Sequence, residues 1–217
     1  MWMPRSTSST GARPQLSREL ILDSAIELIE QQGPGALTMR RLGSRLNVEG
    51  MAIYHHFASR DQLLAAIGDR LLEPLCRLQL SDDWREACRR FATELRDIAV
   101  ARPATFQLVG LQPLDTPASL QAVERLLGVL VAAGFSATHA LAIYRATVSY
   151  ARGYALAEAT GFTVDASRPA GCERLASLSP AEFPILAGRI PDLAKLDARM
   201  AYELGLSALL GGLGGPA

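Results

Sequence analysis

His55 and His56 stand side by side between Tyr54 and Phe57, in a chain that has only three histidines. Adjacent imidazoles suit three chemistries: a metal site, general acid–base catalysis, or contact with another polymer. Neighbouring residues on a helix project about 100° apart, so this pair is badly placed to share one metal ion, unlike an i, i+4 pair. No Asp or Glu follows at ligand spacing and His139 is remote, so neither a metal site nor a cofactor is expected. Catalysis would need a nucleophile or acid nearby, and Cys76, Cys88 and Cys172 carry no evident base at motif spacing. An enzyme is therefore not expected. Contact with a polymer, or plain exposure to solvent, stays open at this point.

The elements that would carry the pair are short. Ile21, Ala25, Leu28 and Ile29 share one helical face, and Gly33-Pro34-Gly35 ends that helix. Thr38 is expected to cap a second helix to about Leu46, and Asn47 suits a left-handed turn. A third helix is read over about Gly50 to His56. A fourth starts near Ser59 and runs to about Leu80, turning Leu63, Leu64, Ile67, Leu71 and Leu72 inward. Two helices of about two turns, braced by a first and joined by a tight turn, form the helix-turn-helix layout. Leu42, Leu46, Val48, Ile53 and Phe57 would hold them against helices one and four. Arg40, Arg41, Arg45 and Arg60 flank the third helix with charge that holds phosphates while its outer face reads bases.

Over 217 residues the formal net charge is zero, so only local clustering can speak for a nucleic-acid partner. Lys195 is the only lysine, and the arginines that carry the remaining basic charge are planar, bidentate phosphate binders. Three cysteines without C-x-x-C spacing argue against a disulfide framework or a zinc site and fit a reducing cytoplasm. The opening MWMPRSTSSTGARPQ has no apolar signal core, and no apolar run reaches ~18 residues without charge. Neither export nor a membrane span is expected, and the location implied is cytoplasmic.

Residues 1–16 read as a disordered basic arm, with Arg5 and Arg13 and no acid before Glu19. Further on, Asp83-Trp84-Arg85-Glu86 resembles a capping box opening a helix that buries Phe91, Leu95 and Ile98 and stops at Pro103. Thr116-Pro117 opens another, through Leu120, Val123, Leu127 and Leu130, and Ser136 starts a long one to about Ala159. Residues 160–178 look like a loop, Ser179-Pro180-Ala181-Glu182 like a second capping box, and Asp192 like the start of the last helix. No strand pattern of useful length is found, so the chain is expected to be all-α. Ala142, Ala146, Ser149, Gly153 and Ala157 form a stripe of small side chains. Ala194, Ala198, Ala201, Gly205 and Ala208 repeat it on the last helix. Such stripes let backbones approach closely. Intrachain packing explains one; two together predict a four-helix interface in a homodimer.

The segment ALTMRRLGSRLNVEGMAIYHHFASRDQLL resembles the DNA-binding segment of the TetR family of repressors. Leu37, Thr38, Arg40, Gly43, Leu46, Val48, Tyr54, His56, Phe57, Arg60, Leu63 and Leu64 match its pattern. Asn47 stands in place of the usual Gly, and Gly50 and Met51 replace residues that often touch DNA in that family. The resemblance implies double-stranded operator DNA as partner, with Thr38, Arg40, Gly50, Met51, Ala52, Tyr54, His55, His56 and Arg60 at the contact. It places Tyr54 and His56 on the phosphate backbone and His55 towards the groove. AAGFSATHALAIYRATVSYARGYALAEA and AYELGLSALLGGL are similar, more loosely, to the C-terminal domain of tetracycline-type members, whose last two long helices form the dimer. Where those proteins carry a metal-binding histidine before a Gly-Thr-Arg-Pro turn, this chain reads FQLVGLQP, so magnesium–tetracycline is not implied. A pocket for a small, largely apolar effector would be lined by Phe91, Leu95, Phe106, Leu111, Leu130, Tyr144, Thr147 and Tyr150. The organisation expected is a helix-turn-helix domain over 17–62 and a ligand-binding and dimerisation domain over 63–217. The function expected is a homodimeric repressor released from its operator by that effector. The alternative is a dimeric helical interaction module with weak or lost DNA binding, to which Gly50 and Met51 lend weight.

Overall fold

Helix α1 (Arg18–Gln32) begins where the Ser17 hydroxyl accepts from the Leu20 amide, and ends at Gly33, whose φ of 85° favours glycine. A computed structural model describes residues 16–110, 112, 116–160, 173, 176–193 and 197–215. Among the described residues there are ten α-helices and one 3-10 turn (Pro34–Ala36) and no strand, the all-α class that the periodicity predicts. Residues 1–15, Leu111, residues 161–172 and Ala194 lie outside the described residues.

The head is assembled from local signals. Helix α2 (Met39–Leu46) is capped by Thr38, whose Oγ1 accepts from the Arg41 amide at 3.2 Å, and closes on Asn47 at φ 56°, ψ 42°. Helix α3 (Gly50–Tyr54) is shorter than expected. The amides of His56 and Phe57 both donate to the Ile53 carbonyl at 2.9 Å, so the two histidines lie in its closing turn. Helix α4 (Arg60–Arg77) starts at Ser59, which accepts from the Gln62 amide at 3.1 Å while the Gln62 side chain accepts from the Ala58 amide. It continues unbroken across the expected boundary at 62/63, so head and body share it.

In the body, Asp83 caps helix α5 (Trp84–Ala101) by accepting from the Glu86 amide at 2.8 Å, while the Glu86 carboxylate turns to Arg90 and does not close a box. Helix α6 (Pro103–Val109) was not expected: after Arg102 the chain resumes at once, with Pro103 in the first helical position, where its missing N–H costs nothing. Helix α7 (Pro117–Ala132) buries Ala122, Leu126 and Leu130, and leaves Leu120 exposed. Helix α8 (Ala137–Thr160) packs most extensively on α5. Ser179–Glu182 forms a turn, and helix α9 (Pro184–Leu193) starts only after it. Asp192 falls inside α9. Asp197 caps the last helix, α10 (Ala198–Gly212), by accepting from the Met200 amide at 3.0 Å.

One core runs from head to body, with Ile21, Leu42, Phe57, Phe91, Phe106 and Leu206 almost without solvent contact. Each such side chain contributes about 1.5–3 kcal/mol. Through this core passes one enclosed ion pair. Arg96 on α5 meets Glu158 on α8 with two 2.8 Å hydrogen bonds, at side-chain exposures of 8% and 16%. Glu158→Ala strands that guanidinium, since Asp97 lies 3.7 Å away and half exposed. Urea unfolding should register a loss of about 3 kcal/mol; a loss below about 1 kcal/mol, the level of a surface pair, would contradict this.

Candidate nucleic-acid interface

The turn between α2 and α3 is set by Gly43. A Cβ there would lie 2.8 Å from the Val48 carbonyl oxygen and 3.1 Å from the Gly50 nitrogen, so only glycine lets the two helices meet. Beneath them Leu42, Ile53 and Phe57 are fully buried. Arg18 reaches over from α1 with its guanidinium 4.1 Å from the centre of the Phe57 ring, and donates to the His56 carbonyl. Arg45 turns back to α1, donating to Glu27 at 2.7 Å and Gln31 at 2.9 Å. It braces the head and is not a free phosphate ligand, which corrects its grouping with Arg40 and Arg41. Neither the Arg18 nor the Arg45 contact could be read from spacing, since both span distant parts of the chain.

What remains outside is the surface that the motif predicts. Thr38, Arg40, Met51, Tyr54, His55 and Arg60 are exposed, and Gly50, Ala52 and His56 are half-buried. Met51 leaves 66% of its surface in solvent at the start of α3. Arg40, Arg41 and Arg60 have no acidic partner among the described residues. Unpaired guanidinium groups on either side of an exposed Met–Tyr face can take phosphate oxygens while the apolar methionine meets a thymine methyl. Among the described residues no group of three His, Cys, Asp or Glu is placed to hold a metal ion. Cys88 is buried, and burial pushes its thiol up to about 11, so it stays protonated and unreactive at neutral pH.

The body residues separate into two sets. Phe91, Leu95, Phe106, Leu130 and Thr147 lie together in the core of α5–α8, with Tyr144 half-buried at its edge. Tyr150 also packs against this core, but its polar group is engaged by the last helix. Its hydroxyl donates to the Tyr202 carbonyl at 2.8 Å, and its ring lies 5.4 Å from Tyr202 and 5.9 Å from Tyr154. An open cleft of about 560 Å³ lies between α4 and the α6–α7 region, bordered by Arg60, Leu64, Asp69, Val109 and Thr116.

Of the small stripes, Ala142, Ser149, Gly153, Ala198 and Ala208 are exposed, and Ala146, Ala157, Ala201 and Gly205 half-buried. Gly153 faces open space, whereas a Cβ on Gly205 would run into the Tyr150 hydroxyl, so Gly205 serves the α8–α10 contact within the chain. Reading for small residues missed the larger ones beside them: Met200 and Leu204 are 65% and 73% exposed, and Leu141 and Ile185 are exposed as well. Of the helices that carry them, α8 and α10 pack on each other.

The family model for bacterial regulatory proteins, tetR family, matches residues 21–67, and the model for the tetracyclin repressor-like C-terminal domain matches residues 78–215. An HTH-type transcriptional regulator of Saccharopolyspora erythraea is 30% identical over 190 residues, covering 86% of this chain and 80% of that protein. An HTH-type transcriptional repressor of Mycobacterium tuberculosis is 30% identical over 210 residues, covering 91% and 80%. The crystal structure of a possible TetR family transcriptional regulator from Streptomyces coelicolor superposes with a TM-score of 0.78 at 27% identity, covering 91% of this chain and 98% of the other.

The two glycines of the turn should behave differently. Gly43→Ala has no room, and overpacking there is expected to cost about 1–3 kcal/mol in denaturant unfolding. Gly50→Ala meets nothing closer than the Met39 carbonyl at 3.6 Å and should leave stability within about 0.5 kcal/mol. Equal losses at the two positions would contradict this geometry.

Proposed function

The chain belongs to the TetR family of bacterial transcriptional regulators, and from that premise we propose that it acts as a homodimeric repressor which a small molecule releases from its operator. The observation that carries the reading is the exposed face of α3, with Met51, Tyr54 and His55 set between Arg40, Arg41 and Arg60, none of them drawn into an internal ion pair. Thr38, Gly50, Ala52, His56 and Arg60 complete the proposed contact. The M. tuberculosis relative carries the name of a repressor, which supports repression over activation. The apolar ridge of α8–α10, with Ala142, Ser149 and Gly153 on its α8 side, is the proposed dimer interface. Pairing there would set two recognition helices one or more DNA turns apart, ~34–36 Å per turn.

Release requires that the body move the head, and two connections support such coupling. Glu30 on α1 accepts from the Thr105 amide at 2.8 Å, from its hydroxyl at 2.6 Å and from the Ala104 amide at 3.4 Å, all at the start of α6. On α4, Asp69 accepts from Thr116 at the start of α7, Arg70 meets Asp23 on α1 at 3.2 Å, and Arg125 of α7 donates to the carbonyls of Cys76 and Leu78. A ligand that shifts α6 or α7 therefore shifts α1 and α4, and half-sites fixed on DNA tolerate little change in spacing. Operator and ligand would weaken each other by the same factor, typically about 5–150-fold. Phe106, Phe91, Leu95, Leu130, Tyr144 and Thr147 are the proposed lining.

Arg40→Ala and Tyr54→Ala should each weaken binding to a DNA fragment selected from genomic DNA by about tenfold or more, with helicity unchanged. Wild-type affinity in both variants, by fluorescence anisotropy, would remove the reading. Because Gly153 faces open space in one chain, Gly153→Leu should yield folded monomers only if a second copy packs there. Light scattering that still reports a dimer would place the interface elsewhere.

A further inference from the structure

Arg152 on α8 is a half-buried cation whose Nε–H is enclosed with nothing in the protein to accept from it. Its Nε has neither solvent contact nor a hydrogen-bond partner, and no carboxylate pairs with it among the described residues. Burial pulls its pKa below the ordinary arginine range, and Tyr144, two turns earlier on the same helix, partly offsets this. The Tyr144 phenol is itself pushed up by burial, with Arg152 acting against the rise. Arg96 shows what this fold does with an enclosed guanidinium when the need is structural: Glu158 meets it with two hydrogen bonds. Arg152 has no such partner. An enclosed N–H without an acceptor is destabilising, and such an arrangement persists where a ligand supplies the missing group.

The position of Arg152 says where that ligand would act. At 100° per residue, Arg152 and Ala159 lie within about 20° of each other on α8. The Ala159 carbonyl accepts from the Gln107 side chain of α6 at 3.0 Å. Arg152 therefore sits on the side of α8 that faces α6, the helix whose start is held by Glu30. A guanidinium presents parallel N–H groups that match a carboxylate in bidentate fashion, which an ammonium does not.

We propose that the effector site recognises an organic acid, whose carboxylate takes two hydrogen bonds from Arg152 while its apolar body packs among the core side chains of α5–α8. This rests on the ligand-responsive reading and replaces "largely apolar" with an amphipathic acid. No proton or bond changes hands; the acid binds as its carboxylate, already ionised at neutral pH.

The test uses the full chain and carboxylates of graded size, benzoate, 2-naphthoate and dodecanoate, each beside its primary amide. Binding is read by calorimetry on wild type, Arg152→Met and Arg152→Lys. At least one acid should bind wild type about tenfold or more tightly than its amide. Arg152→Met should erase that preference, and Arg152→Lys, which keeps the charge without the fork, should retain only part of it. Should Arg152→Met fail to fold, the Arg152→Lys loss carries the test alone. Acids bound no better than amides, or a preference unchanged in the variants, would overturn the proposal. Anisotropy with the selected DNA fragment, run on the same wild-type protein, separates the two readings. Intact DNA binding without acid preference removes only this inference, whereas loss of DNA binding removes the regulator reading.

Discussion

The Glu30 carboxylate ties the helix-turn-helix head to the start of a body helix. Helix α6 starts at a proline, Arg102 before it offers no side-chain cap, and the first free amides belong to Ala104 and Thr105. Unsatisfied amides at a helix start carry partial positive charge and need an acceptor. Glu30 supplies it from the other end of the sequence. The helix that carries Glu30 also holds the head together, through Arg18 on the Phe57 ring and the His56 carbonyl and through Glu27 and Gln31 on Arg45. So α1 braces the helix-turn-helix and caps α6 at once.

Helix α4 provides a parallel route. Its 18 residues begin in the cap beside Phe57 and end where Arg125 holds the Cys76 and Leu78 carbonyls. Packed interiors do not deform continuously, so two stiff connections favour two discrete arrangements of head and body over a graded series. On α8, which packs against α6, the Arg152 Nε–H stands enclosed without an acceptor.

The head was legible because its signals are local. Thr38, Asn47 and Ser59 each act within three residues of themselves, and Gly43 sits where the turn leaves no room for a Cβ. Failures of the sequence reading have physical causes of a different range. Pro103 ends the helix before it as the sequence implies, but proline also fits the first position of a new helix, and α6 starts there. Ser179-Pro180-Ala181-Glu182 has the spacing of a capping box, but Pro184 disfavours the helical conformation in Phe183, so the helix could start only beyond it. Asp192 reads as the start of the last helix, but Asp197, five residues on, caps it. Arg45, Tyr150 and Gly205 were assigned from their own helices, and their partners on α1 and across the α8–α10 contact decided otherwise. Glu30 and Arg152 carry no sequence motif at all. Their meaning comes from what they touch, or fail to touch, after folding.

The central claim is that DNA contact at α3 is felt at the start of α6 through Glu30. Amide hydrogen exchange at Ala104, Thr105 and Phe106, measured with and without the selected DNA fragment, tests it directly. Binding of DNA should change protection at these amides in wild type, and Glu30→Ala should abolish that change while leaving a head that still binds DNA. Exchange at Thr105 that is the same with and without DNA would contradict the account.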